Sequence, residues 1–164
     1  MKVLVSVASK HGATEEIGDR IAERLCLALI DVHVVAPNDR LRPDGYDACV
    51  IGSAVYMGRW MSEARRFVEA NAEKLSERPV WLFSSGPVTP VMDERDEADA
   101  RRFAEQIRAR GHQLFAGRLQ QDNLNFGERA VVRMIHSPWG DYRPWHEIDA
   151  WADSIARDLR GVAV

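Results

Sequence analysis

The sequence predicts one domain, residues 1–164, built on an open, doubly wound α/β sheet with helices on both faces. Short runs of apolar residues, rich in Val and Ile, alternate along the chain with longer segments of helical periodicity. Such runs are typical of strands buried on both faces, as in a parallel sheet covered by helices. A chain of 164 residues can also form a core that needs no disulfide or zinc.

Five apolar runs mark the predicted strands. Four clear runs and a weaker fifth are, in chain order, Val3–Ala8, Val32–Ala36, Cys49–Ala54, Val80–Phe83 and Leu114–Leu119. Strands that alternate with helices predict βαβ units and a parallel sheet. Ligands of such sheets bind beyond the carboxyl ends of the strands. A functional site is therefore expected in the residues that follow Ala8, Ile51 and Phe83.

Four segments have the spacing of amphipathic helices. The first begins near Thr14, the last follows Pro144, and Gly111 is the expected C-cap of the third helix, after Arg108 and Arg110. The predicted apolar faces are Ile17, Ile21, Leu25 and Leu29; Ala64, Phe67, Val68 and Leu75; Ala100, Phe103, Ala104 and Ile107; and Ile148, Trp151, Ala152, Ile155 and Leu159. Each face is expected to cover one side of the sheet.

Composition and charge exclude several classes of protein. The net charge of −3 gives no electrostatic case for nucleic-acid binding. Cys26 and Cys49 have no CxxC partner, so we expect two small buried side chains in a reducing compartment. No apolar stretch approaches a membrane span, and the first strand has no signal-peptide cleavage region, which favours the cytoplasm. His136 and His146 lack ligand spacing, so no metal site is expected.

The residues after the first strand form a candidate anion-binding loop that leads into a helix. They are Ser9, Lys10, His11, Gly12, Ala13 and Thr14. N–H groups at a helix N-terminus converge on a phosphate, and the Ser9 and Thr14 hydroxyls can donate from the sides. The absence of GxxxxGK[ST] excludes a P-loop, and the absence of GxGxxG argues against a dinucleotide site. The alternative is an ordinary turn in which Thr14 only caps the helix.

Two further candidate loops follow the third and fourth strands. The first of them carries Val55, Tyr56, Met57 and Gly58, and the second carries Ser84, Ser85 and Gly86. Tyr56 can flank a planar ring, and Gly58 reaches positive φ at little cost. Trp60 either joins this site or packs in the core. The second loop lets a ring edge approach backbone groups, and it contains no GxSxG nucleophile elbow.

Taken together, the three strand-end loops match the needs of flavin mononucleotide (FMN). An anion cradle suits the dianionic phosphate, whereas the aromatic loop and the small polar loop suit a planar, redox-active ring. No residue is expected to act as a protonic catalyst, because a flavin carries the electron chemistry itself.

With these motifs the chain resembles the flavodoxin-like family over nearly its whole length. Ser9, His11, Gly12 and Thr14 fit that family's [ST]-x-[TH]-G-x-T phosphate loop. Lys10 and the segments Val50 to Gly58 and Gly127 to Ile135 resemble the branch related to FMN-dependent protoporphyrinogen dehydrogenase. The resemblance implies five parallel strands in the order 2-1-3-4-5 and a bound FMN.

The resemblance implies an FMN-dependent oxidoreductase. The first hypothesis is an enzyme similar to protoporphyrinogen dehydrogenase, with a porphyrinogen or quinone docking near Trp60, Met134 and Trp139. The second is an electron carrier that serves a partner reductase. The third is a binding domain that has lost FMN. These hypotheses stay open at the level of the sequence, as does the oligomeric state.

The segment that carries Arg129, Arg133, Met134 and His136 has two interpretations. It either presents a basic face to a partner or a membrane surface, or packs its apolar side on the domain with the arginines in water. The net charge also bears on the partner. The related dehydrogenase is basic and associates with membranes, whereas this chain has a net charge of −3.

Ser84 to Val88 offers neither the aromatic nor the acidic residues that shuttle flavodoxins usually place after the fourth strand. A negative charge beside the flavin ring disfavours its reduced, anionic form by about 1–4 kcal/mol. We therefore expect a less negative second reduction potential than that of a low-potential shuttle.

Overall fold

A parallel sheet organises the computed structural model, which describes residues 1–86, 97–119 and 140–162. Its strands are β1 Lys2–Ala8, β2 Asp31–Val34, β3 Ala48–Tyr56, β4 Arg59–Trp60, β5 Val80–Ser85 and β6 Gly111–Phe115. The five parallel strands lie in the order β2-β1-β3-β5-β6, and the short β4 pairs antiparallel with β3. Because β4 is only a hairpin extension of β3, the predicted 2-1-3-4-5 order is confirmed.

The described helices cover both faces of this sheet. They are α1 Ala13–Leu27, α2 Ser62–Ala70, α3 Ala72–Ser76, α4 Ala98–Ile107 and α5 Trp145–Val162. On one face, Val3, Val5 and Val7 of β1 pack against α1 and α5. On the other, Leu4 and Ala8 pack against α2, α3 and α4. The side chains of a strand alternate between faces, so the predicted continuous apolar run serves both cores.

Two glycines leave room for neighbouring side chains in the core. A Cβ on Gly52 of β3 would lie 2.2 Å from the Phe83 ring, so only glycine leaves room for that ring. A Cβ on Gly18 of α1 would lie 2.5 Å from a Val7 methyl group. Gly18 therefore lets α1 lie close to the sheet, and Gly52 leaves room for Phe83 of the adjacent strand β5.

Several local predictions are wrong at element ends. The first helix ends at Leu27, so Leu29 does not continue its apolar face and is 94% exposed. Cys26 is exposed rather than buried, because it lies away from the face that Leu25 buries, whereas Cys49 is buried as expected. The left-handed residue that ends α4 is Arg108, with φ 54°, and Gly111 instead begins β6.

The last predicted strand is shifted along the chain. β6 begins at Gly111, three residues before the predicted Leu114, because an edge strand needs fewer apolar residues to stay in the sheet. Beyond it, β7 Arg118–Leu119 pairs antiparallel with β8 Gly140–Asp141 in a separate two-stranded ribbon. The ribbon brings residues 118 and 140–143 to the carboxyl edge of the sheet, next to the start of α1.

Some predictions lie outside the described residues. They are the segment Gly127 to Ile135 with Arg129, Arg133 and Met134, together with His136 and Trp139. Within the described ranges, no group of three or more His, Cys, Asp and Glu side chains is arranged to hold a metal ion. No described helix combines the length and apolar character needed to cross a membrane.

Candidate functional site

The anion loop, residues 9–14, joins β1 to α1 in a tight turn. Ser9 Oγ accepts the Gly12 N–H at 3.0 Å, and the Gly12 carbonyl accepts the Glu16 N–H at 3.0 Å. Gly12 is the N-cap of α1 and has φ 83°, a left-handed conformation that glycine adopts without strain. Thr14 is buried inside the first turn, so it does not cap the helix. A glycine N-cap has no side chain with which to satisfy the first N–H groups of the helix.

Two basic residues differ in their charge within this loop. Burial, and secondarily the Lys10 ammonium, lower the pKa of His11 below its ordinary value near 6.5. At neutral pH the imidazole is therefore neutral, and Lys10 supplies the positive charge of the loop. This charge adds to the positive end of the α1 dipole.

The second predicted loop is a β-hairpin. Val55 and Tyr56 are the last residues of β3, and they pair with Trp60 and Arg59 of β4. Met57 and Gly58 form the two-residue turn, with φ 52° and 74°. Positive φ at both positions matches the twist of a two-residue hairpin. The turn leaves Tyr56 44% exposed and Met57 75% exposed.

The hairpin and the anion loop lie in contact. The Lys10 ammonium is 5.0 Å from the centroid of the Tyr56 ring, within the range of a cation–π interaction. The strand register explains this contact. Ala8 of β1 pairs with Ser53 of β3, so the loops that follow the two strands begin side by side at the carboxyl ends of the strands. Two motifs more than forty residues apart in sequence thus meet at one place.

The third predicted loop packs against the second through backbone atoms. Gly86 has φ 94°, and its N–H donates to the Phe115 carbonyl at 3.0 Å. A Cβ on Gly86 would lie 3.5 Å from the Val55 carbonyl oxygen, and a Cβ on Gly117 would lie 3.2 Å from the Gly86 Cα. Three chain segments therefore approach one another closely at the ends of β3, β5 and β6.

The serines of this loop are buried. Ser84 is 1% exposed, and its hydroxyl accepts the Trp60 indole N–H at 2.8 Å. Trp60 is 2% exposed and packs against Phe103, so its core interpretation is the correct one. A substrate cannot dock on a side chain that is buried in this way. Ser85 is also buried, and in the third loop it is the backbone of Gly86 that lies beside the hairpin.

The sequence gives no signal for the residue that fixes the hairpin. The carboxylate of Asp99, in the first turn of α4, accepts the Trp60 backbone N–H at 2.9 Å and the Arg59 Nε–H at 3.3 Å. Its side chain is 8% exposed. In the sequence, Asp99 belongs to a run of acidic residues that is typical of a solvent-exposed helix start. Only the fold brings it to β4.

A second residue without a sequence signal is Arg143, just after the ribbon. Its buried guanidinium donates to the Ala13 carbonyl of the anion loop and to carboxylates on α1 and β8. The contact joins positions 130 residues apart. No local pattern around Asp141, Tyr142 and Pro144 could have indicated it.

The chain belongs to the flavodoxin domain family. The family model described as "Flavodoxin domain" matches residues 4–143, which include most of β1 and the three candidate loops. The geometry agrees with this assignment, since the strand order is that of a doubly wound sheet and the three candidate loops meet at the carboxyl ends of its central strands.

The chain is also similar to individual proteins, one in sequence and others in structure. The chain is 25% identical to protoporphyrinogen IX dehydrogenase [quinone] of Escherichia coli K12, over 95% of each chain. It is similar in structure to a mutant flavodoxin of Pseudomonas aeruginosa, with a TM-score of 0.65, 17% identity and coverage of 98% and 99% of the two chains. A flavodoxin from Archaea has a TM-score of 0.62, 16% identity and the same coverage. The structural likenesses establish the fold, and the expected flavodoxin-like fold is confirmed.

Proposed function

We propose that this chain binds FMN at the carboxyl edge of the sheet and acts as an oxidoreductase. The observation that carries the proposal is the convergence of the three predicted loops. Lys10 of the anion loop lies over Tyr56 of the hairpin, and Gly86 of the third loop lies against the Val55 carbonyl. These contacts lie at the carboxyl ends of β1, β3 and β5, the place where ligands of doubly wound sheets bind.

The anion loop fits a phosphate. A Cβ on Gly12 would meet no atom within 4 Å, so the glycine borders open space rather than packing against the protein. That region adjoins the first N–H groups of α1, the Ser9 hydroxyl and the Lys10 ammonium. We propose that the buried Thr14 hydroxyl also turns toward a bound phosphate. These donors are the chemistry that a dianion requires.

The hairpin and the third loop fit a planar ring. Tyr56 and Met57 are exposed although both are large and apolar, and a flat ligand would cover part of that surface. The residues proposed for this end are Val55, Tyr56, Met57 and Gly58 on the hairpin and Ser84, Ser85 and Gly86 beyond β5. The two serines are buried in β5 between β3 and β6, and in the proposal they hold Gly86 beside the hairpin.

The residues of this chain bind and orient, and they perform no proton transfer in the proposal. Bound FMN supplies the transfer of electrons. The anion loop anchors one end of the cofactor, and the hairpin, held by Asp99 through the Trp60 N–H, shields the other end from water. The neutral His11 and cationic Lys10 add no negative charge near the site.

For the substrate we propose an activity similar to that of the dehydrogenase, with a porphyrinogen-type or other apolar reductant and a quinone or another electron acceptor. The likeness to protoporphyrinogen IX dehydrogenase [quinone] over 95% of the chain supports this proposal. The second candidate is an electron carrier for a partner reductase, which the exposed Tyr56 and Met57 at the hairpin tip favour. For both candidates we propose a cytoplasmic protein that exchanges electrons with a redox partner or a small molecule.

Reconstitution with FMN tests the cofactor. We expect flavin absorbance bands in the purified protein, or after the apoprotein is incubated with FMN, at one flavin per chain. Thr14→Val should weaken FMN binding about tenfold, because it removes a hydroxyl donor without changing the volume of the side chain. Thr14→Ser, which restores the hydroxyl, should bind within about twofold of the wild type. A protein that stays colourless with added FMN would contradict the proposal.

Turnover assays then distinguish the two redox candidates. The holoprotein is mixed with protoporphyrinogen under anaerobic conditions, with and without a quinone, and porphyrin fluorescence is followed. Porphyrin formation that depends on the protein and on the acceptor supports the enzyme. Reduction of the bound flavin by a flavodoxin reductase, without porphyrinogen turnover, supports the carrier.

A further inference from the structure

A buried arginine connects the anion loop to the ribbon. The side chain of Arg143 is 4% exposed. Its Nη1 donates to the Ala13 carbonyl at 3.3 Å and to the Glu16 carboxylate, while its Nε and Nη2 donate to the two oxygens of Asp141 at 2.9 and 2.7 Å. One guanidinium thus joins β8 to the first turn of α1.

The guanidinium is held from several directions. Asp141 also accepts the Arg143 backbone N–H at 3.1 Å, and the Trp145 ring lies 4.6 Å from the guanidinium carbon. The hydrogen bond to Asp141 raises the pKa of Arg143 above its ordinary range, so the charge is permanent. A planar group fixed on both its edge and its face has little rotational freedom left. The Ala13 carbonyl is therefore bound to a rigid donor.

Charge balance in the first turn of α1 depends on the same contact. The Glu16 carboxylate lies one helical turn from Gly12, on the helix whose N-terminus is proposed to receive the phosphate. Arg143 binds Glu16, and Arg118 of β7 donates to it at 3.2 Å. The hydrogen bond from Arg143 is the main cause that lowers the pKa of Glu16, so the carboxylate is ionised at neutral pH. Without the arginines, a full negative charge would face an incoming dianion.

We infer that Arg143 is a positioning residue for phosphate binding: it holds the Ala13 carbonyl in place and neutralises Glu16, so that the anion loop accepts a phosphate dianion. The inference rests on the proposed function, in which the FMN phosphate occupies this loop. It predicts an effect on ligands that carry a phosphate and little effect on riboflavin, which has the same ring and no phosphate.

The test compares FMN and riboflavin binding by the apoproteins, followed as quenching of flavin fluorescence. Arg143→Gln should weaken FMN binding about tenfold and riboflavin binding less than about threefold. Glu16→Gln should tighten FMN binding about threefold, because it removes the negative charge and leaves Arg143 in place. The double variant should bind FMN better than Arg143→Gln alone. Added salt should reduce the difference between the wild type and Arg143→Gln.

Arg20→Gln is the matched control. Arg20 lies on the same helix and pairs with Asp149 and Glu23, away from the loop. It should leave the affinity for both flavins within about twofold of the wild type. Equal losses of FMN and riboflavin binding in Arg143→Gln, or weaker FMN binding in Glu16→Gln, would overturn the inference and leave Arg143 a structural residue. If the wild type binds neither flavin, the proposed function fails and the inference fails with it.

Discussion

Arginine–carboxylate ion pairs hold both halves of α1, but the arginines differ in their exposure to water. At its amino end, Glu16 and the Ala13 carbonyl bind Arg143, whose side chain is 4% exposed. In its carboxyl half, Arg20 and Arg24 bind Asp149 and Asp153 of α5, in pairs with closest contacts of 2.6 Å. Those four side chains are 25–36% exposed.

The exposure of an ion pair determines how much it contributes to stability. Water and salt screen the pairs between α1 and α5, so they add little to stability, although they help to align two long helices. The Arg143 guanidinium is itself buried, although Glu16 and Asp141 are 48% and 40% exposed, so the loss of one partner leaves a buried charge with only the other to compensate it. The buried arginine therefore holds the end of α1 at which we propose that the phosphate binds, whereas the exposed pairs in the carboxyl half align α1 with α5.

The largest effect is expected from Gly12→Ala at the amino end. The new Cβ strains a residue with φ 83° and enters the open space proposed for the phosphate, so FMN binding should weaken about a hundredfold. Gly45→Ala is the matched control, because Gly45 has φ 85° and equally open surroundings, before β3 and outside the proposed site. Calorimetric unfolding should show similar destabilisation in both. Loss of FMN binding in both variants alike would contradict the prediction.

The second effect is a difference in the loss of unfolding free energy when an ion pair at each end of α1 is broken. Asp141→Asn removes the main partner of the Arg143 guanidinium, and the free energy of unfolding should fall by about 2 kcal/mol because the buried charge then keeps only Glu16 as a counterion. Asp149→Asn removes the corresponding partner of Arg20, which is partly exposed and keeps Glu23. Urea unfolding should give a clearly smaller loss for Asp149→Asn. Equal losses would mean that the burial of Arg143 does not make its ion pair contribute more to stability than that of Arg20.

The third effect is a difference in acid sensitivity. Hydrogen bonds from Arg20 and Arg24 are the main causes that lower the pKa values of Asp149 and Asp153 below the ordinary range near 3.8. The unfolded chain therefore binds more protons than the folded chain below about pH 5, and stability falls as the pH decreases toward the folded pKa values.

The double variant Asp149→Asn/Asp153→Asn should be less stable than the wild type at neutral pH. Its thermal midpoint should then fall less between about pH 5 and about pH 3, since two of the responsible carboxylates are gone. Glu16 and Asp141, whose pKa values are also lowered, should keep part of the acid sensitivity. Curves that fall in parallel would contradict the linkage.

The smallest effect concerns the thiols. Burial raises the pKa of Cys49 to about 12, whereas Cys26 lies exposed in the last turn of α1. A thiol reagent should modify one cysteine of the native chain rapidly, and Cys26→Ser should abolish that fast phase. Modification at the carboxyl end of α1 should leave FMN binding unchanged. Rapid reaction of two thiols, or loss of FMN binding on modification, would show that the two ends are coupled.

The sheet and the positions of the candidate loops could be predicted from the sequence because their signals are local. Continuous apolar runs predict strands such as β1 and β3, and the serine, glycine and threonine of the anion loop mark a helix start after a strand. Only part of the hairpin could be predicted from the sequence. Gly58 indicated positive φ, but nothing indicated that Met57 shares it and that β3 extends to Tyr56.

The contacts between distant segments were not predictable. Arg143 meets Ala13 and Asp99 meets Trp60 because of the topology, and an arginine or aspartate in a charged segment looks solvated until the fold is known. The errors at Leu29 and Cys26 have a related cause. Helical periodicity predicts which residues can share a face, but neither where the helix ends nor how far its partner layer reaches.

Titration of the wild-type apoprotein with FMN and with riboflavin, by calorimetry under identical conditions, tests the proposed site most directly. We expect one FMN per chain, bound at least about a hundredfold more tightly than riboflavin, because only FMN places a phosphate on the anion loop. Inorganic phosphate should weaken the binding of FMN by competing for that loop. Equal affinity for the two flavins, or binding of neither, would contradict the account.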